Sequence, residues 1–99
     1  MAIAAEQDGE GTLLRLTESL TIYEVLELQQ QFVTILTEPT ENIRFDLSEI
    51  EEMDLAGFQL LLQFKNEIIA RDLKFTISEC SDAVRNAAAT CGMSDVIAV

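Results

Sequence analysis

Residues 43–70 read Ile-Arg-Phe-Asp-Leu-Ser-Glu-Ile-Glu-Glu-Met-Asp-Leu-Ala-Gly-Phe-Gln-Leu-Leu-Leu-Gln-Phe-Lys-Asn-Glu-Ile-Ile-Ala, and their hydrophobic period changes part-way. Ile43, Phe45 and Leu47 alternate with Arg44 and Asp46, which is the two-residue period of a β-strand. From Leu55 onward apolar residues recur at helical spacing, with Gly57, Leu61, Phe64 and Ile68 inside one narrow arc. Between the two lies an acidic stretch that reads as a short turn closing on Asp54. A carboxylate there suits a helix N-cap, because it accepts N–H groups that the first helical turn leaves unbonded. The unit is strand, acidic turn, capped helix.

Working outward, Leu73-Lys74-Phe75-Thr76-Ile77 alternates again and predicts a strand. Ser81 then caps a helix through Cys91 that turns Val84, Ala88 and Cys91 inward and stops at Gly92. Residues 95–99 add at most a short segment. Upstream, Gln7-Asp8-Gly9-Glu10-Gly11 separates two short strands, and Ser19-Leu20-Thr21-Ile22 reads as a third. Residues 23–36 are helical, with Val25, Leu28, Phe32, Ile35 and Leu36 on one face, and Pro39 ends that helix. The expected order is β-β-β-α-β-α-β-α: an α/β single domain over residues 1–99 with a mixed, mostly parallel sheet and helices packed on it.

The chain has 99 residues and 48% hydrophobic content, enough for one modest core. Eighteen acids against six bases give a net charge of −12. That charge repels the phosphate backbone and anionic lipid surfaces, so neither nucleic acid nor direct membrane insertion is expected, and a basic protein surface is favoured as partner. Cys80 and Cys91 are too few for a disulfide scaffold and read as reduced thiols. The first residues show neither a basic n-region nor a long apolar run, so a cytoplasmic location is expected.

Asp46-Leu47-Ser48, Ile50, Met53-Asp54-Leu55-Ala56-Gly57 and the leucine-rich helix after them resemble the STAS domain family, which includes antagonists of bacterial anti-sigma factors. The resemblance runs over nearly the whole chain. It implies a STAS-like α/β module that regulates other proteins by binding them. In phosphorylated members the turn reads Asp-Ser-Ser-Gly, with the second serine as acceptor; here that position is Ala56, so no phospho-acceptor is expected within it. Together with Leu20-Thr21-Ile22-Tyr23 and Leu60-Leu61-Leu62, the motif is most similar to small STAS proteins of bacterial chemotaxis signalling. An alternative is a STAS subunit of a phospholipid ABC transporter complex that docks on its ATPase. By family resemblance, then, the partner is an anti-sigma kinase-like protein, a chemotaxis component or a transporter ATPase.

No catalytic residue, cofactor or metal is expected. Histidine is absent, no Cys-x-x-Cys pair exists, and no glycine loop cradles phosphate. Glu49, Glu51, Glu52 and Asp54 lack the spacing and the glycine of a calcium loop, and solvated charges plus one cap account for them. Ser48 is the hydroxyl nearest the turn. On the helix after Asp54, Leu55, Phe58, Leu62 and Ile69 form a second apolar arc. Neighbouring helices are expected to cover Leu62 and Ile69, while Leu55 and Phe58 are open to either core or interface. The candidate partner-binding residues are Asp54, Leu55, Ala56, Gly57 and Phe58, with Gly57 admitting a partner backbone.

Overall fold

A computed structural model describes residues 2–9, 11–37 and 41–97. Strands β1 (Ala2–Asp8) and β2 (Gly11–Leu20) pair antiparallel. The chain continues through α1 (Val25–Ile35) into β3 (Asn42–Met53), parallel to β2, then α2 (Leu55–Ala70) and β4 (Lys74–Cys80), parallel to β3. Helices α3 (Asp82–Cys91) and α4 (Ser94–Ile97) follow. The sheet order is β1-β2-β3-β4. The expected α/β class and mixed, mostly parallel sheet are what the structure shows.

Alternation places Leu14 and Leu16 of β2 and Ile43, Phe45 and Leu47 of β3 on one buried face. Four phenylalanines bind that face to the helices. Phe45 stands at its centre, with ring centroids 6.1 Å from Phe32 of α1, 6.2 Å from Phe64 of α2 and 5.4 Å from Phe75 of β4. Phe32 and Phe64 stack at 3.8 Å, which fastens α1 to α2. On the opposite face Arg15 bridges Glu6 at 3.3 Å and Asp46 at 3.2 Å across three strands. Asp46 also accepts from the Ser48 amide at 2.9 Å and hydroxyl at 2.6 Å.

Two sequence expectations change here. The segment 49–53, read as an acidic turn, is the second half of β3, and Leu20 pairs with Met53 at its end. The β2–β3 register shifts twice, between Arg15 and Thr17 and between Glu18 and Ser19, each time with an extra residue on β3. Each bulge lengthens the inward spacing, so after Phe45 and Leu47 the buried positions are Ile50 and Met53, and strict alternation is lost. Glu18, at the second bulge, has a φ of 70°. The other change is the third strand over residues 19–22. Ser19 and Leu20 end β2, and the chain then turns, the Glu24 amide donating to the Thr21 carbonyl at 3.0 Å. Three expected N-terminal strand segments are therefore two strands. Pro39, read as the stop of α1, lies outside the described residues; so do residues 98–99 of the expected tail segment, whose preceding part is α4.

The caps follow the sequence. Ser81 accepts from the Val84 amide at 3.2 Å, and Gly92, at a φ of 68°, closes α3 in a conformation that costs glycine little.

Candidate functional site

Strands β2 and β3 end together, and α1 and α2 start beside each other above them. Asp54 holds this junction. One carboxylate oxygen accepts from the Gly57 amide at 2.9 Å and caps α2; the other accepts from the Ile22 amide at 3.1 Å, in the turn that leads into α1. Its own amide donates to the Leu20 carbonyl at 3.4 Å. A single carboxylate therefore fixes the relative position of two helix starts.

Around that tie lie side chains that the core does not cover. Tyr23 is 92% exposed, Leu26 65%, Ile22 62% and Leu55 46%. Scattered apolar exposure is ordinary, but four such residues flanking one junction form a patch of the kind that marks interaction surfaces. The expected Leu55 belongs to it, and Ala56 is half-buried beside it.

Two of the expected binding residues face inward. Phe58 is 0% exposed and belongs to the core, so it is not available as an anchor. Gly57 is buried, and a Cβ there would collide with the Leu20 carbonyl oxygen. The close approach that glycine permits is internal, between α2 and the end of β2, and not toward a partner. Conversely, Leu62 and Ile69, expected under neighbouring helices, are exposed. With Leu55 they recur at seven-residue spacing, as Leu26 and Val33 do on α1.

Ile22, Tyr23 and Leu26 were not legible as site residues from the sequence. Ile22 reads as the end of a strand and Tyr23 as the start of a helix. The available signal was that Leu26 and Val33 are apolar yet lie off the Leu28–Phe32 stripe.

The remaining reactive groups do not assemble here. Cys80 and Cys91 are free and half-buried, and burial pushes the Cys80 thiol up, away from the nucleophilic thiolate. Among the described residues no group of histidine, cysteine and acidic side chains is placed to hold a metal ion. The Ser48 hydroxyl is half-buried and donates to Asp46.

A family model described as Mlab, STAS domain, matches residues 3–98. The chain belongs to the STAS domain family. Among solved structures, this STAS domain is similar to the unphosphorylated anti-sigma factor antagonist SpoIIAA, with a TM-score of 0.74 and 21% identity over 95% of this chain and 84% of that one. It is also similar to a crystal structure of Mglu, with a TM-score of 0.68 and 13% identity over 80% of this chain and 20% of that one. At these identities the likeness is one of fold. No curated protein sequence matches the chain. The strand–cap–helix unit around Asp54 is the stretch on which the sequence resemblance rested, and the family match spans it.

Proposed function

We propose that this STAS domain, a single domain over residues 1–99, is a non-catalytic protein-docking module of the anti-sigma factor antagonist kind. The observation that carries this reading is the patch of Ile22, Tyr23, Leu26 and Leu55 around the Asp54 tie. Asp54 ties the start of α2 to the turn before α1, and side chains held in place before binding lower the ordering cost of association. Catalysis has no support at this junction: the reactive groups named above lie apart from it, and Asp54 is committed to two backbone amides.

The surface is constitutive. Ala56 has no hydroxyl, and a phosphate placed among Glu49, Glu51 and Glu52 would meet their charge. The pathway is a bacterial cytoplasmic one, with an anti-sigma kinase-like protein or a chemotaxis signalling component as partner. The alternative partner implied by the sequence resemblance, the ATPase of a phospholipid transporter, would use the same surface.

Affinity capture from the native cytosol tests the reading. Wild type is expected to retain one of these partner classes, identified by mass spectrometry, and Leu55→Ser to lose it. Retention of the same partner by Leu55→Ser and Tyr23→Ser alike would place the interface elsewhere. Stoichiometric phosphate on Ser48 in the same material would overturn the constitutive surface.

A further inference from the structure

The rim of the docking patch carries uncompensated negative charge. Glu27 follows Leu26 in the first turn of α1, and Glu51 and Glu52 stand at the end of β3, immediately before the Asp54 cap. All three are exposed. Among the described residues no ion pair reaches any of them.

The cations are occupied or distant. Arg15 is tied to Glu6 and Asp46 on the outer sheet face, and Arg44 pairs with Asp8 there. Arg85 pairs with Asp82 on α3, and Lys65 lies over the Phe75 ring at 5.9 Å. Arg71 caps the far end of α2, and Lys74 opens β4 at that same end.

Resting on the docking reading, we propose that the partner presents apolar side chains ringed by lysine or arginine, and that Glu27, Glu51 and Glu52 steer and register it. A second copy of this chain is disfavoured as the occupant, because it would bring the same acidic rim and another net charge of −12 against this one. Nucleic acid and anionic lipid are disfavoured for the same reason. A cationic ring satisfies both parts of the surface: apolar anchors fill the centre, and opposite charges at the edge accelerate encounter and exclude acidic competitors.

The probe is a synthetic amphipathic helix with leucine on one face and lysine on the other, beside a counterpart with glutamine in place of lysine. Titration into isotopically labelled protein, followed by NMR, is expected to move the resonances of Ile22, Tyr23, Leu26 and Leu55. The lysine peptide should bind about tenfold more tightly than the glutamine peptide at low salt, with the gap closing as salt rises. The variant Glu27→Gln/Glu51→Gln/Glu52→Gln should lose that advantage. A control, Glu41→Gln/Glu67→Gln/Asp72→Asn, removes three acids at the opposite end, so both variants move from −12 to −9. The control should keep the advantage.

Equal loss in the two variants would reduce the effect to net charge and overturn the proposal. Equal binding of the two peptides would overturn it as well, while leaving the docking surface standing. If neither peptide moves those resonances but Leu55→Ser still cuts protein capture, the surface stands and its cationic partner does not. If capture is also untouched, both readings fall.

Discussion

The Asp54 carboxylate accepts the backbone amide of Ile22 at 3.1 Å across 32 residues of chain, while its other oxygen caps α2 through Gly57. This one side chain joins the start of one helix to the turn before the other, and the exposed apolar patch is built on that joint. Asp54→Ala should lose both bonds. Removal of an N-cap alone costs about 1 kcal/mol, and loss of the second bond should bring the total to about 2 kcal/mol. Asn also caps, so Asp54→Asn should cost less than half as much. Urea unfolding gives the energies. Faster amide exchange at Ile22 in Asp54→Ala would show that the joint, and not the cap alone, has opened.

Gly57→Ala tests the seating of α2 on β2. Alanine is the better helix former by about 1 kcal/mol, so propensity alone predicts stabilisation. Its Cβ, however, would collide with the Leu20 carbonyl oxygen, a backbone atom that cannot swing aside. Overpacking of this kind costs about 1–3 kcal/mol and should win. A Gly57→Ala protein that melts above wild type would show that the helix start can lift away from Leu20.

The sequence disclosed these local devices because each depends on chemistry within a few residues. Asp54 and Ser81 have side chains that accept amides, and Gly92 tolerates a φ of 68°. What it concealed depended on neighbours. The β2–β3 bulges moved the inward positions to Ile50 and Met53, so a strand read as a turn. On α2, spacing put Leu55, Phe58, Leu62 and Ile69 on one arc but could not show where cover ended. Gly57 lets the first turn lie against Leu20, and that seating leaves Phe58 no exposed surface, while Leu62 and Ile69 further along stay open.

Acid stability should depend on Asp46. Burial pushes its carboxyl up, but the bonds from Ser48 and Arg15 outweigh burial and hold it below the ordinary value of 3.8. A carboxyl depressed on folding adds stability that is full above the unfolded value and is lost as pH falls through the lower folded value. The contribution should therefore be complete at neutral pH and decline below about pH 4. Asp46→Asn should melt lower than wild type at pH 7, and the difference should shrink by pH 3. A constant difference across that range would mean that packing or hydrogen bonding, and not ionisation, sets the cost.

Asp72 offers a stabilising change. It follows α2 at a φ of 60°, with its amide donating to the Ile69 carbonyl at 3.0 Å and the Leu73 amide to the Ile68 carbonyl at 3.1 Å. This is the bonding of a Schellman closure, in which glycine is the favoured residue at the left-handed position. Asp72→Gly should raise stability by about 0.5–1 kcal/mol, the relief of side-chain strain less the added freedom of the unfolded chain. The thermal midpoint checks it. No change or a fall would show that the aspartate side chain contributes more than its backbone strain costs.

The decisive comparison sets Leu55 against Phe58, neighbours on one helical turn with opposite environments. Leu55 is exposed at the patch, whereas Phe58 has no exposed surface. Leu55→Ser should cost no more than about 1 kcal/mol, because about half of its surface is already in water. Phe58→Ser should cost about 3–5 kcal/mol, since it opens a cavity and buries a hydroxyl. Leu61→Ser, equally buried, is the matching control for loss of core. If Leu55 anchors a partner near the centre of the interface, its removal should weaken capture by about 2 kcal/mol or more, roughly thirtyfold. Thermal melts and capture assays on the three variants separate the outcomes. A Leu55→Ser protein that melts as low as Leu61→Ser would assign Leu55 to the core. One that keeps both its melting point and its partner would leave the patch exposed but without the docking role proposed for it.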